Sequence, residues 1–149
     1  MSATASNQVE LILPCRPEYV GVARLAVLGI ASRMPFSYDE VEDVRLAVGE
    51  ACTHAVERAS RLPGRAPTNE GHGSIVITSR ISATELTIEV ADDIPALPAG
   101  TPSISDDADS DLDKTGLGAL LMEILVDSVQ IDSRQLGTCV RLVKRPSSN

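Results

Sequence analysis

The sequence predicts an α+β fold: a two-layer α/β sandwich with a mostly antiparallel sheet and its helices on one face. Three observations carry this expectation. Apolar periodicity switches between alternate and helical spacing in the order β-α-α-β-β-loop-α-β-β, with no internal repeat. The strands after the first come in pairs close enough along the chain to be hairpins, hence antiparallel. The chain has 149 residues, 43% of them hydrophobic, which suits one domain with a sizeable core. With one Phe, two Tyr and no Trp, that core is aliphatic.

Residues 1–8 read as a flexible tail, 9–145 as the domain and 146–149 as a C-terminal tail. Val9-Glu-Leu-Ile-Leu13 is a short strand, closed by Pro14 and Pro17. Val20, Ala23, Val27, Ile30 and Met34 recur at spacings of three and four, which predicts a helix over 18–33, ended by Pro35. The next helix, 38–60, has the strongest start signal: Ser37 and Glu40 form a capping box, flanked by Phe36 and Val41 as a hydrophobic staple. Val41, Val44, Val48, Ala51, Ala55 and Ala59 share one face of it, and Glu50 and His54 lie one turn apart on the opposite, outer side.

Residues 61–73 are a loop by composition. Ser74–Ile81 and Leu86–Val90 follow as strands; the first is apolar on both faces and predicted to sit inside the sheet. Residues 91–115 read as irregular, with three prolines followed by Asp106, Asp107, Asp109, Asp111 and Asp113. Leu117, Leu120, Leu121, Ile124 and Leu125 predict a helix over 117–127, and Val129–Asp132 with Gly137–Val143 a closing hairpin.

Composition excludes several functions. Thirteen basic against 21 acidic residues give a net charge of −8, so no basic surface is available to neutralise phosphates along a nucleic acid. Cys15, Cys52 and Cys139 are odd in number and far apart, which favours buried thiols over a disulfide framework or zinc ribbon. The N-terminus lacks an apolar signal region, and the longest apolar stretch, 20–31, is interrupted by Arg24. A soluble, cytoplasmic protein is expected.

Generic motifs are few. Asp107, Asp109, Asp111 and Asp113 alternate as in a calcium loop, but its sixth position would be Leu112 and its twelfth Gly118, so that reading fails. There is no GxSxG, no GxxxxGK[ST] and no GxGxxG after a strand. Read one at a time, Glu50 and His54 are an exposed polar pair, Asp92 a turn-forming residue at a strand end, and Thr115-Gly-Leu-Gly118 a helix-start turn. Such a turn can also offer N–H groups to phosphate.

Their order says more. Glu50-Ala-Cys-Thr-His54, then Val90-Ala-Asp92, then Gly116-Leu-Gly118, then Gly137-Thr138 together resemble the ATP site of the GHKL superfamily, the histidine-kinase-like and gyrase-like ATPases. The resemblance is nearest to the small anti-sigma factors with serine-kinase activity that act in stress response and sporulation. It covers about residues 9–145, and 46–56 and 116–127 are its most specific stretches.

The resemblance implies that Glu50 is the catalytic base toward a serine hydroxyl. It places His54 where the family has a magnesium-binding asparagine. Asp92 matches the aspartate that hydrogen-bonds the adenine amino group. Gly116 and Gly118 match the lid and helix-end glycines near the phosphates, and Thr138 a threonine that helps hold adenine. The acidic segment before Gly116 corresponds to the lid.

Two departures alter the expectation. Mg²⁺ prefers oxygen ligands, so an imidazole at position 54 replaces the amide oxygen poorly. Ile94 and Ala96 stand where glycines are expected after Asp92, and branched Ile gives neither positive φ nor close backbone approach cheaply. The implied function is therefore an anti-sigma factor that binds a sigma factor and an STAS-type antagonist, with weakened or lost ATP-dependent kinase activity. The alternatives are an active serine kinase using ATP and Mg²⁺, and an inactive scaffold in a signalling complex. Members of the family are often dimers, so a homodimer is expected among the partners.

Overall fold

Residues 7–62, 73–95 and 117–147 are described by a computed structural model, and their strands are β1 (Asn7–Pro14), β2 (Ser74–Ile81), β3 (Leu86–Asp92), β4 (Ser128–Arg134) and β5 (Gly137–Lys144). They form one sheet in the order β1-β2-β3-β5-β4, antiparallel at every pairing. Among the described residues the helices are α1 (Val20–Ala31), α2 (Tyr38–Ser60) and α3 (Gly118–Leu125), with a single 3₁₀ turn at Pro17–Tyr19. This is the α+β sandwich the sequence predicts, with β2 inside the sheet.

Register explains which side chains face the helices. Leu11, Ile77, Val90, Val140 and Ile131 stand opposite one another across all five strands. Ile77 and Val90 are almost fully buried at the centre of that row. Side chains alternate with period two, so Ile75, Ile88 and Leu142 share this face. So do Asp92, two residues past Val90, and Thr138, two before Val140. The pleat therefore delivers a carboxylate and a hydroxyl beneath α2 at one end of the sheet. On the other face Arg80 pairs with Glu89 at 3.1 Å, in solvent.

The layer above is built from small residues. Ala23, Val27 and Ala31 of α1 are sealed against Ala47, Val48 and Cys52 of α2. Each fully buried Val, Ile or Leu in this core contributes about 1.5–3 kcal/mol. Cys15 and Cys52 are buried, as expected, whereas Cys139 is only partly so; burial, reinforced by nearby Cys15, pushes the Cys52 thiol up to about 12, while Arg24 partly offsets the shift. Among the described residues no helix is long and apolar enough to cross a membrane.

Boundaries differ from expectation in several places. β1 begins at Asn7, so two residues assigned to the tail are strand, paired with Ile81 and Arg80. The helix expected over 18–33 is a 3₁₀ turn followed by α1, and that over 117–127 stops at Leu125. There the Lys144 ammonium donates to the Leu125 carbonyl at 2.8 Å, supplying a cation to the helix C-terminus. β3 runs on to Asp92, and Pro95 forms a bridge with Leu136. The rest of the expected long loop, including the five aspartates and Gly116, lies outside the described residues.

Candidate functional site

The C-terminal half of α2 carries Glu50, His54 and Arg58 at successive helical turns, so the three form one stripe. The stripe is not on an outer solvent face, as the helical period alone suggests. Glu50 and His54 are only 30% and 20% exposed, because α3 begins directly over them. A Cβ on Gly118 would lie 2.8 Å from Cε1 of His54 and 3.0 Å from Oε1 of Glu50, with Nε2 nearer still. A larger residue at 118 would therefore have to displace the His54 ring. Nε2 of His54 lies 3.1 Å from Oε1 of Glu50, but their alignment is not that of a hydrogen bond, and this buried nitrogen has no hydrogen-bond partner.

Asp92 is more enclosed. Its side chain is 3% exposed. Oδ1 accepts the backbone N–H of Ile94 at 3.0 Å and that of Thr138 at 3.3 Å. Arg58 reaches it across the layer, with Nη1 3.4 Å from Oδ1 and Nη2 in close contact with Oδ2. The two glycines beside this corner have left-handed backbones: Gly137 at φ +105 and Gly73 at φ +83. At Gly137 a Cβ would strike the Asp92 carbonyl, so the start of β5 can press against the end of β3 only because no side chain intervenes. The Asp93 carboxylate accepts the N–H of Ser74 at 2.8 Å and closes the same corner.

Between α2, α3 and the ends of β3, β4 and β5 lies a cavity of about 460 Å³. His54, Arg58, Ile94, Met122, Thr138 and Val140 are among its walls. Its size falls in the range of small-molecule sites, and its walls mix aliphatic side chains with polar and charged ones, Glu57, Arg61 and Arg134 among them. Of the residues singled out from sequence, His54 and Thr138 line the cavity. Asp92 is held just behind the wall by Thr138 and Arg58, Glu50 and Gly118 flank His54, and Gly116 lies outside the described residues. Ile94 is 1% exposed, its side chain packed into the core where a glycine would leave space.

The residues present do not fit Mg²⁺. The ion demands oxygen ligands in near-octahedral array. Position 54 offers an imidazole nitrogen, already packed against Gly118. Among the described residues no group of three or more His, Cys, Asp or Glu could hold a metal ion.

Arg58 was not singled out from sequence, although its place one turn beyond His54 was a usable signal. What no local pattern encodes is its partner, 34 residues away on another layer.

Comparison with known proteins bears on this arrangement. Residues 13–144 match the family described as the histidine kinase-like ATPase domain. The serine-protein kinase RsbW of Bacillus velezensis is 35% identical over 95% of this chain and 88% of its own length. RsbW of Bacillus licheniformis is 38% identical over 94% of this chain and 86% of its own. Among solved structures, that of the RsbU and RsbW domains of Rv1364c from Mycobacterium tuberculosis superimposes with a TM-score of 0.68 at 18% identity. It covers 97% of this chain and 34% of that one, a likeness of fold.

Proposed function

Because the chain belongs to the histidine kinase-like ATPase family, we propose that it is an anti-sigma regulatory factor. It sequesters a sigma factor and is released by an antagonist of STAS fold, with little or none of the kinase reaction retained. The observation that carries this reading is the state of the cavity: its walls are formed among the described residues, while the positions that the resemblance assigns to metal and base recognition are both altered. His54 supplies nitrogen where Mg²⁺ needs oxygen, Ile94 fills a glycine's place, and Arg58 occupies Asp92. Sequestration needs a protein-binding surface rather than turnover, so it survives these changes. The net charge of −8 favours a partner with a basic patch through electrostatic steering. A cytoplasmic location accords with this reading.

The active serine kinase is kept as a second reading because Glu50 is retained and 30% exposed, with a carboxylate able to accept a serine hydroxyl proton. Glu50, His54, Asp92, Gly118 and Thr138 would then act as the resemblance implies, with ATP as cofactor. The test is to incubate the protein with candidate sigma factors and STAS proteins, then follow complex formation and phosphate transfer separately. Sigma-factor capture without nucleotide, with no phosphoserine on the antagonist, supports the anti-sigma reading. ATP-dependent phosphorylation of the antagonist restores the kinase, and capture of neither partner overturns both. Sedimentation of the same samples reads out the homodimer that the resemblance implies.

A further inference from the structure

The ion pair between Arg58 and Asp92 reaches beyond a merely weakened site; the inference rests on the reading above, in which the cavity is a nucleotide pocket. A carboxylate offers about four acceptor positions. On Oδ1, backbone N–H groups of Ile94 and Thr138 take two at 3.0 and 3.3 Å, and Nη1 of Arg58 stands 3.4 Å away. Nη2 closes on Oδ2, and the side chain is only 3% exposed. One acceptor position of Oδ2 is left, but with the side chain almost fully enclosed and Arg58 standing across it, Asp92 is shielded from the cavity. Arg58 does line the cavity and keeps 34% of its own surface exposed.

We propose that Arg58 is the specificity-determining residue of this cavity: it takes the acceptor face of Asp92 that a purine amino group would need, and so converts that end of the cavity from acceptor to donor. A guanidinium has five N–H groups. Two are directed at Asp92, which leaves others for a ligand. Donors of this kind pair with ring nitrogens and carbonyls, as arginine does with O6 and N7 of guanine. The amino edge of adenine meets donor against donor and is rejected. A ligand edge rich in acceptors is accepted. This discrimination belongs to the side chain of Arg58 and needs no metal.

Calorimetric titration with ADP and with GDP, both without Mg²⁺, tests the proposal on the full chain, on Arg58→Ala and on Arg58→Lys, with circular-dichroism melts to establish folding. The wild type is expected to bind GDP in preference to ADP. Arg58→Ala should raise ADP affinity at least tenfold and lower that for GDP, reversing the preference. Arg58→Lys, which pairs with Asp92 through a single point charge, should fall between them. A purely structural ion pair would lower the melting temperature of Arg58→Ala and leave the ADP-to-GDP ratio unchanged; that result overturns the proposal. So does a wild type that prefers ADP, or a set of folded proteins that bind neither nucleotide. Should Arg58→Ala not fold, the ratio measured for Arg58→Lys decides in the same way. Sigma-factor capture by the same wild-type sample scores the anti-sigma reading independently.

Discussion

At Gly118 a single missing Cβ lets α3 start on top of the Glu50–His54 pair. Gly118→Ala forces a methyl group into the imidazole, and overpacking of this kind costs about 1–3 kcal/mol. Urea denaturation should show that loss, and a variant as stable as wild type would mean that His54 swings aside freely. Asp92 makes the complementary point. It ties β3, β5 and α2 together, so Asp92→Asn should destabilise the fold by about 1–3 kcal/mol, less than breaking a fully buried pair costs because Arg58 is partly solvated. Were Asp92 only a ligand-binding group, its amide would leave the melting temperature unchanged. Glu50, His54, Asp92 and Thr138 were singled out in the sequence because each sits in a short motif. The Arg58 contact was not, since side-chain partners across layers follow from packing rather than from spacing. The burial of Glu50 and His54 escaped the helical period for the same reason: that period marks the face toward the sheet and is blind to a second helix covering the other side.

Among the elements, α2 is the one whose start the sequence specifies most fully. Ser37 Oγ accepts the N–H of Glu40 at 3.1 Å, and Glu40 Oε2 accepts that of Ser37 at 2.8 Å. Ser37→Ala should cost about 1 kcal/mol. Glu40 does more than close the box, for its Oε1 also accepts the N–H of Ser147 at 2.8 Å, pinning the C-terminal segment to the helix start. The capping box was readable from four residues; the tether spans 107 positions and was not. Hydrogen bonds from Ser147, then from the N–H of Ser37, hold the Glu40 carboxyl below its ordinary value of 4.5. A carboxyl depressed in the folded state stabilises above its unfolded value, and that contribution is lost as pH falls through the lower, folded value. Glu40→Gln should therefore flatten the fall in stability below pH 4.5, as read by acid titration of the melting temperature. An acid limb identical to wild type would show that the carboxylate is solvated in both states.

For the whole molecule, the order of elements and the antiparallel pairing followed from apolar periodicity, because one buried face fixes strand register. β1 was foreseen without Asn7 and Gln8, whose exposed polar side chains carry no burial signal; only pairing with β2 assigns them. The same fold that preserves the cavity carries two departures from the family pattern at its polar end, at positions 54 and 94, together with the Arg58 contact to Asp92. Reversing both, His54→Asn with Ile94→Gly, should improve affinity for ATP–Mg²⁺, and adding Arg58→Ala should improve it further by freeing Asp92. No gain in the triple variant, provided it folds, would show that the roles assigned to these positions are wrong. The central claim is that the family's fold is kept here around a nucleotide site that no longer takes ATP–Mg²⁺ well. Calorimetric titration of the wild-type protein with ATP–Mg²⁺ tests it most directly. The account predicts no binding at micromolar concentrations, and a dissociation constant in the micromolar range or tighter would contradict it.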